Sequence, residues 1–146
     1  MRITRYTDYS LRVLVYLAVK PGRLATIQEI AESYDISRNH LMKVVHQLTR
    51  AGYVTSLRGK KGGLRLDRAA SDINIGKLMR ETEPDMGLVE CFRADNRCCI
   101  TPACGLKYML AEALQNFMET LDKYTLEDVL PGQPNHALIG LLQIED

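Results

Sequence analysis

The sequence predicts a mainly α-helical chain with a small β wing, built as a winged helix-turn-helix domain followed by a cysteine-bearing loop and a long helix. Three observations lead there. A short capped helix and a longer amphipathic one are separated by only a few residues around Asp35-Ile36. A Gly-rich basic stretch follows them, Arg58-Gly59-Lys60-Lys61-Gly62-Gly63, flanked by strand-like residues. Farther on, apolar residues recur every three or four positions from Leu106 to Tyr124.

The first helix reads from Asp8 to Val19. Leu11, Leu14, Val15 and Ala18 fall at helical spacing, Thr7 precedes them as a cap, and Pro21-Gly22 ends the run. Thr26 and Glu29 form a capping box for a second helix reaching about Tyr34. Ser37 is placed to cap a third, whose Leu41, Val44, Val45 and Leu48 make one apolar face before Gly52 closes it. Tyr53–Leu57 and Leu64–Leu66 read as the two strands of the basic hairpin, and Ile73–Arg80 as a short amphipathic helix. Residues 84–102 are irregular. A helix from Gly105 to about Tyr124 carries Leu106, Leu110, Ala113, Phe117, Leu121 and Tyr124 as a narrow seam, suited to a partner helix or to burial against its own domain. The tail is weakly patterned, with one short helix expected at Thr125–Leu130. The expected units are 1–82, a winged helix-turn-helix; 83–104, the cysteine loop; and 105–146, a dimerisation helix and tail.

Among 146 residues, 46% are hydrophobic and 25% charged, a globular composition. No apolar run approaches the roughly 20 residues of a membrane span, and no cleavage site follows residues 11–19, so a cytoplasmic location is expected. The net charge of +1 conceals an asymmetry: residues 1–68 hold 13 Lys/Arg against 5 Asp/Glu, whereas residues 69–146 hold 6 against 13. A basic half joined to an acidic half suits a phosphate-binding module fused to one that does not bind phosphate. Double-stranded DNA is the expected partner. Thr26, Ser37, Arg38, Asn39, His40 and Lys43 stand at or near helix starts that meet a major groove. Arg58, Gly59, Lys60 and Lys61 form a hairpin tip whose backbone can approach phosphates closely. No phosphate loop, Ser/His/Asp set or paired carboxylates point to an enzyme.

All four cysteines, Cys91, Cys98, Cys99 and Cys104, fall within one stretch of 14 residues. Such crowding suggests a metal or cluster site rather than a disulfide frame. Zinc-ribbon Cys-x2-Cys pairs are absent, and the wide spacing suits a cluster of several irons. The vicinal Cys98-Cys99 pair also keeps a thiol switch open. On the cysteines alone, cluster, zinc and redox thiols stand level.

Several stretches carry a family resemblance: Tyr6-Thr7-Asp8-Tyr9, Ser37-Arg38-Asn39-His40, Arg50-Ala51-Gly52-Tyr53-Val54-Thr55, Arg58-Gly59-Lys60, Ile100-Thr101-Pro102-Ala103-Cys104 and Leu121-Asp122 with Tyr124-Thr125-Leu126. In this order, over residues 1 to about 130, they resemble the NsrR family of nitric-oxide-sensing iron–sulfur repressors. The resemblance implies a homodimer on an inverted-repeat operator, released when nitric oxide attacks the cluster, so that detoxification genes are derepressed. It implies cluster ligation by Cys91, Cys98 and Cys104, because the family leaves five residues between the middle and last ligands, and it leaves Cys99 without a role. A [4Fe-4S] cluster is favoured, with [2Fe-2S] the alternative. A related branch that monitors cluster biogenesis is similar but places a His three residues after its last Cys, where this chain has Lys107. The resemblance also implies Asp8 of the opposite subunit as the fourth ligand; read alone, Asp8 is a first-turn acid that favours the helix dipole.

Overall fold

The computed structural model describes residues 2–132 and 135–145. Along the chain run α1 (Arg5–Val19), α2 (Ile27–Tyr34), α3 (Arg38–Arg50), β1 (Val54–Leu57), β2 (Gly63–Leu66), α4 (Ile75–Thr82), α5 (Leu106–Asp122) and α6 (His136–Leu141), with four short 3-10 turns between them. The mainly helical fold with a small antiparallel wing is as the sequence predicts. β1 and β2 pair from Val54 opposite Leu66 to Leu57 opposite Gly63. Ala25 and Leu64 exchange two backbone hydrogen bonds (3.0 and 2.7 Å), so the chain before α2 is stitched to the wing.

The core gathers around α1. Val13 and Leu14 are fully buried, and Ile30 of α2, Leu41 and Leu48 of α3, Leu64 of the wing and Leu78 of α4 close over them. The four apolar residues of α3 make one buried face, as their spacing requires. The capping box of α2 is formed: Glu29 N–H donates to Thr26 Oγ1 (3.1 Å) and Thr26 N–H to Glu29 Oε2 (2.6 Å).

Elsewhere the local reading needed correction. α1 starts three residues before Asp8, and its cap is Thr4, whose Oγ1 accepts from Thr7 N–H (3.3 Å), while Thr7 itself is fully buried. The cause lies far along the chain: Glu83 Oε1 accepts from Thr4 N–H (2.7 Å) and Thr4 Oγ1 (3.0 Å). Burial alone would raise the Glu83 carboxyl, but the hydrogen bonds from Thr7 and Thr4 together outweigh it and hold the group below its ordinary range. Ser37 occupies the cap position of α3 without a side-chain cap bond.

On α5, Leu110 and Leu121 of the seam are half-buried with Leu114, and Met118 is buried, so the stripe facing the domain shares only two residues with the seam read from sequence. Leu106, Ala113, Phe117 and Tyr124 of that seam are exposed. In place of a helix at Thr125–Leu130 there is a 3-10 turn, Glu127–Val129, begun by Asp128 Oδ2 accepting from Thr125 N–H (2.7 Å) and Oγ1 (2.9 Å). α6 was not anticipated at all. Beyond it Leu142 and Ile144 enter the main core, and Ser33 Oγ donates to Leu142 O (2.7 Å).

A tight joint fixes α5 to α4. Asn74 caps α4 through Lys77 N–H (2.9 Å), and its Nδ2 donates to Asp122 O (2.8 Å). Ile75 N–H donates to Tyr124 O (2.9 Å), and Leu126 N–H to Ile73 O (2.8 Å). Arg80 grips the Asp122 carboxylate with two bonds, 2.6 and 2.7 Å. Gly76 makes this approach possible, since a Cβ there would lie 1.9 Å from Asp122 Oδ1. Among the described residues, no helix is long and apolar enough to cross a membrane.

Candidate nucleic-acid interface and cysteine loop

α3 buries one face and offers the other. Because successive residues turn by about 100°, Asn39, Lys43, His46 and Arg50, at i, i+4, i+7 and i+11, lie on one line opposite the buried stripe, and all four are exposed. Asn39 and Lys43 were expected here. His40 is also exposed but turns to the flank facing α1, its ring centroid 6.4 Å from that of Tyr9. Arg38 and Ser37 stand exposed at the helix start, and Thr26, exposed at the start of α2, uses its hydroxyl in the capping box. The sequence reading missed His46 and Arg50, although the spacing that found the apolar face also places them opposite it.

The wing presents Arg58, Gly59, Lys60 and Lys61 in the open, all exposed. Two glycines shape its turn. Gly59 has φ +108°, and a Cβ on Gly62 would meet Leu57 O at 2.2 Å. Among the described residues no acidic side chain pairs with Arg38, Lys43, Arg50, Arg58, Lys60 or Lys61, so these charges remain open to phosphate. The base of the wing is anchored. Tyr53 OH donates to the Glu81 carboxylate of α4, and Arg68 lies 4.9 Å over the Tyr53 ring while donating to Gly52 O (2.7 Å). Burial, and then the Glu81 carboxylate, push the Tyr53 hydroxyl far above its ordinary value, which keeps it a proton donor.

The four cysteines share the irregular segment between α4 and α5, and all are free thiols. Cys91 lies in the turn Glu90–Phe92 and Cys104 just after the turn Thr101–Ala103, both half-buried, whereas Cys98 and Cys99 are exposed. Hydrogen bonds hold the backbone of Cys98 on both sides: its N–H donates to Asn96 Oδ1 (2.9 Å) and its carbonyl accepts from Thr101 Oγ1 (2.8 Å). Arg97 N–H reaches Glu90 Oε1 (3.0 Å), tying the Cys98 side of the loop back to the Cys91 turn. Soft sulfur donors on an unbridged loop are a set that fits an iron–sulfur cluster. Within one chain, however, no three His, Cys, Asp or Glu side chains converge among the described residues, so Cys91, Cys98 and Cys104 are not brought together. Asp8, on the first turn of α1, instead pairs with Arg12 Nη2 (2.9 Å). Arg12 in turn lies 5.9 Å over the Tyr9 ring and 5.7 Å over Tyr34 of α2.

A capped two-helix reader with an uncompensated basic wing belongs to a helix-turn-helix transcription regulator, and the chain is a member of the Rrf2 family. That family's pattern, described as an iron-dependent transcriptional regulator, matches residues 3–132. The chain is 50% identical over 148 residues, spanning all of both proteins, to the HTH-type transcriptional regulator NsrR of Bacillus subtilis (strain 168). It is 51% identical over 135 residues to the protein of the same name in Bacillus licheniformis, covering 91% of this chain and 94% of that one. Among solved structures it is similar to CymR, the global cysteine regulator of B. subtilis, at 29% identity and a TM-score of 0.72 over 88% of this chain and 95% of that one.

Proposed function

We propose that the protein is a cytoplasmic DNA-binding repressor that senses nitric oxide through an iron–sulfur cluster and acts as a homodimer on an inverted-repeat operator. The observation that carries this reading is one chain in which a loop of free thiols is fastened, through α5 and its joint on α4, to a helix-turn-helix and wing whose Arg38, Lys43, Arg50, Arg58, Lys60 and Lys61 have no acidic partners among the described residues.

Asn39, Lys43, His46 and Arg50 enter a major groove along one line, and Arg38 and Ser37 reach it from the start of α3. His40 and Thr26 lie at the edges of that surface. Arg58, Lys60 and Lys61 hold phosphates or the minor groove beside it, with Gly59 letting the backbone come close. The exposed stripe of Leu106 (55%), Met109 (68%) and Phe117 on α5 is the surface for a second copy of the chain.

Cys91, Cys98 and Cys104 hold the cluster, with Asp8 of the opposite subunit as fourth ligand. [4Fe-4S] is the favoured form and [2Fe-2S] the alternative. The bonds that fix the Cys98 backbone, with none of the named loop bonds falling on Cys99, support this choice. The chemistry such a cluster supplies is reaction of its iron with nitric oxide. The Asp8 carboxylate has an alternative partner in Arg12, whose stacking on Tyr34 carries a change at Asp8 to the end of α2.

Anaerobic purification with iron and sulfide analysis, followed by nitric oxide titration and DNA binding on the same sample, tests the proposal. Sulfide-to-iron absorption bands, lost together with operator affinity as nitric oxide is added, are the expected result. A colourless zinc protein, or DNA binding governed by thiol oxidation alone, overturns it in favour of a zinc-dependent or thiol-redox regulator. A cluster whose nitrosylation leaves DNA binding unchanged points instead to a sensor of cluster status.

A further inference from the structure

One apolar side chain stands on the polar surface of the helix-turn-helix. Met42 is 48% exposed and is the one large hydrophobic residue left exposed on α2 and α3. It sits beside the outward line of α3, with Asn39 three residues before it and His46 four residues after, so both are its neighbours on the helix surface. The fold's own apolar face on this helix is complete without it, in Leu41, Val44, Val45 and Leu48. A long thioether flanked by an amide and an imidazole is placed for a surface that is mostly polar and anionic but has a local apolar feature.

Duplex DNA offers one such feature in the major groove, the C5-methyl group of thymine. We infer that Met42 is a specificity-determining residue that packs on a thymine methyl in each operator half-site. This inference rests on the DNA-binding reading above and extends it to one base. The charge around Met42 sets the approach: Lys43 and Arg50 on the same face, with Arg58, Lys60 and Lys61 of the wing, anchor the helix on phosphates. Met42 then fills the groove floor between the polar side chains. Its unbranched, polarizable chain adapts to the methyl without a fixed rotamer.

The test removes the methyl and nothing else. The full-length protein, purified anaerobically, selects its sites from a random duplex pool, and each thymine of the recovered operator is replaced in turn by deoxyuridine. For the wild type, one thymine in each half-site should show about three- to tenfold weaker binding on replacement, the worth of about one buried methyl. In Met42→Ala the same replacement should change binding by less than about twofold, with an unchanged salt slope and an unchanged circular dichroism spectrum. Met42→Leu should keep most of the methyl penalty. A wild type that binds its operator tightly with no deoxyuridine-sensitive thymine overturns the inference alone, as does an equal penalty in Met42→Ala. A selection that recovers no sequence removes the DNA reading and the inference with it.

Discussion

Replacing Gly76 by alanine should loosen the joint between α4 and α5, and the structure sets the size of the effect. A new Cβ would stand 1.9 Å from Asp122 Oδ1 and 2.9 Å from both Asp122 Cγ and the Asp122 backbone nitrogen. The carboxylate can swing aside, but only by giving up its two bonds to Arg80. The backbone nitrogen has no such freedom, so the end of α5 must retreat by roughly 0.6 Å to restore ordinary van der Waals contact. Against this, alanine gains about 0.5–1 kcal/mol over glycine in helix propensity. Overpacking of this kind costs about 1–3 kcal/mol, and loss of the two Arg80 bonds puts the cost in the upper half of that range, so the net loss should be about 1–2.5 kcal/mol. For a chain of this size that lowers Tm by about 3–8 °C. Thermal unfolding followed by circular dichroism reads it directly. Adding Asp122→Ala should restore only part of the loss, because the backbone contact persists. A Tm equal to or above the wild type would show that the joint has slack, and that it does not fix α5 against the DNA-binding domain.

The folded Glu83 carboxyl sits below its ordinary value, so its bonds to Thr4 stabilise the protein fully above that value and are lost as pH falls through the lowered one. Urea midpoints from about pH 6 to about pH 3 should therefore fall on the acid side, and less steeply in Glu83→Gln; identical profiles would dismiss the clamp. Arg58→Ala and Lys60→Ala should each weaken DNA binding and lower the salt slope by about 1. Normal operator binding by the double variant would mean that the wing does not dock. Cys91→Ala, Cys98→Ala and Cys104→Ala should lose the cluster absorption that Cys99→Ala keeps, and equal loss in the Cys98 and Cys99 variants would refute the choice between them.

What could be read from the sequence is what neighbours in sequence decide. Thr26 and Glu29 are three residues apart, and their box forms; the apolar face of α3 repeats within two turns, and it is buried. The start of α1 was misread because its cap is secured by Glu83, 79 residues away. On α5 the difficulty was different. Leu114 and Met118 provide a second apolar stripe, and periodicity alone cannot say which one faces the domain. In the cysteine loop only the family resemblance favoured Cys98 over Cys99, and the bonds that fix its backbone come from Asn96 and Thr101, side chains that composition does not single out. The outward line of α3 is legible in the same spacing, which places His46 and Arg50 opposite the apolar face although they lie beyond the first turn of the helix.

Ser33 and Leu142 meet across 109 positions of chain, and Leu142 and Ile144 complete a core whose other buried members, Leu126 apart, lie between Val13 and Leu78. During synthesis, which proceeds from the N-terminus, the reading helix α3 and the wing emerge long before the residues that seal the ground beneath α2. Closing so long a loop is entropically costly and slow compared with pairing neighbouring helices. A nascent chain thus presents α3 and the wing on an unfinished base until Leu142 and Ile144 join the core. A product cut short before Leu142 would carry every residue proposed to contact DNA and would lack part of the packing beneath α2.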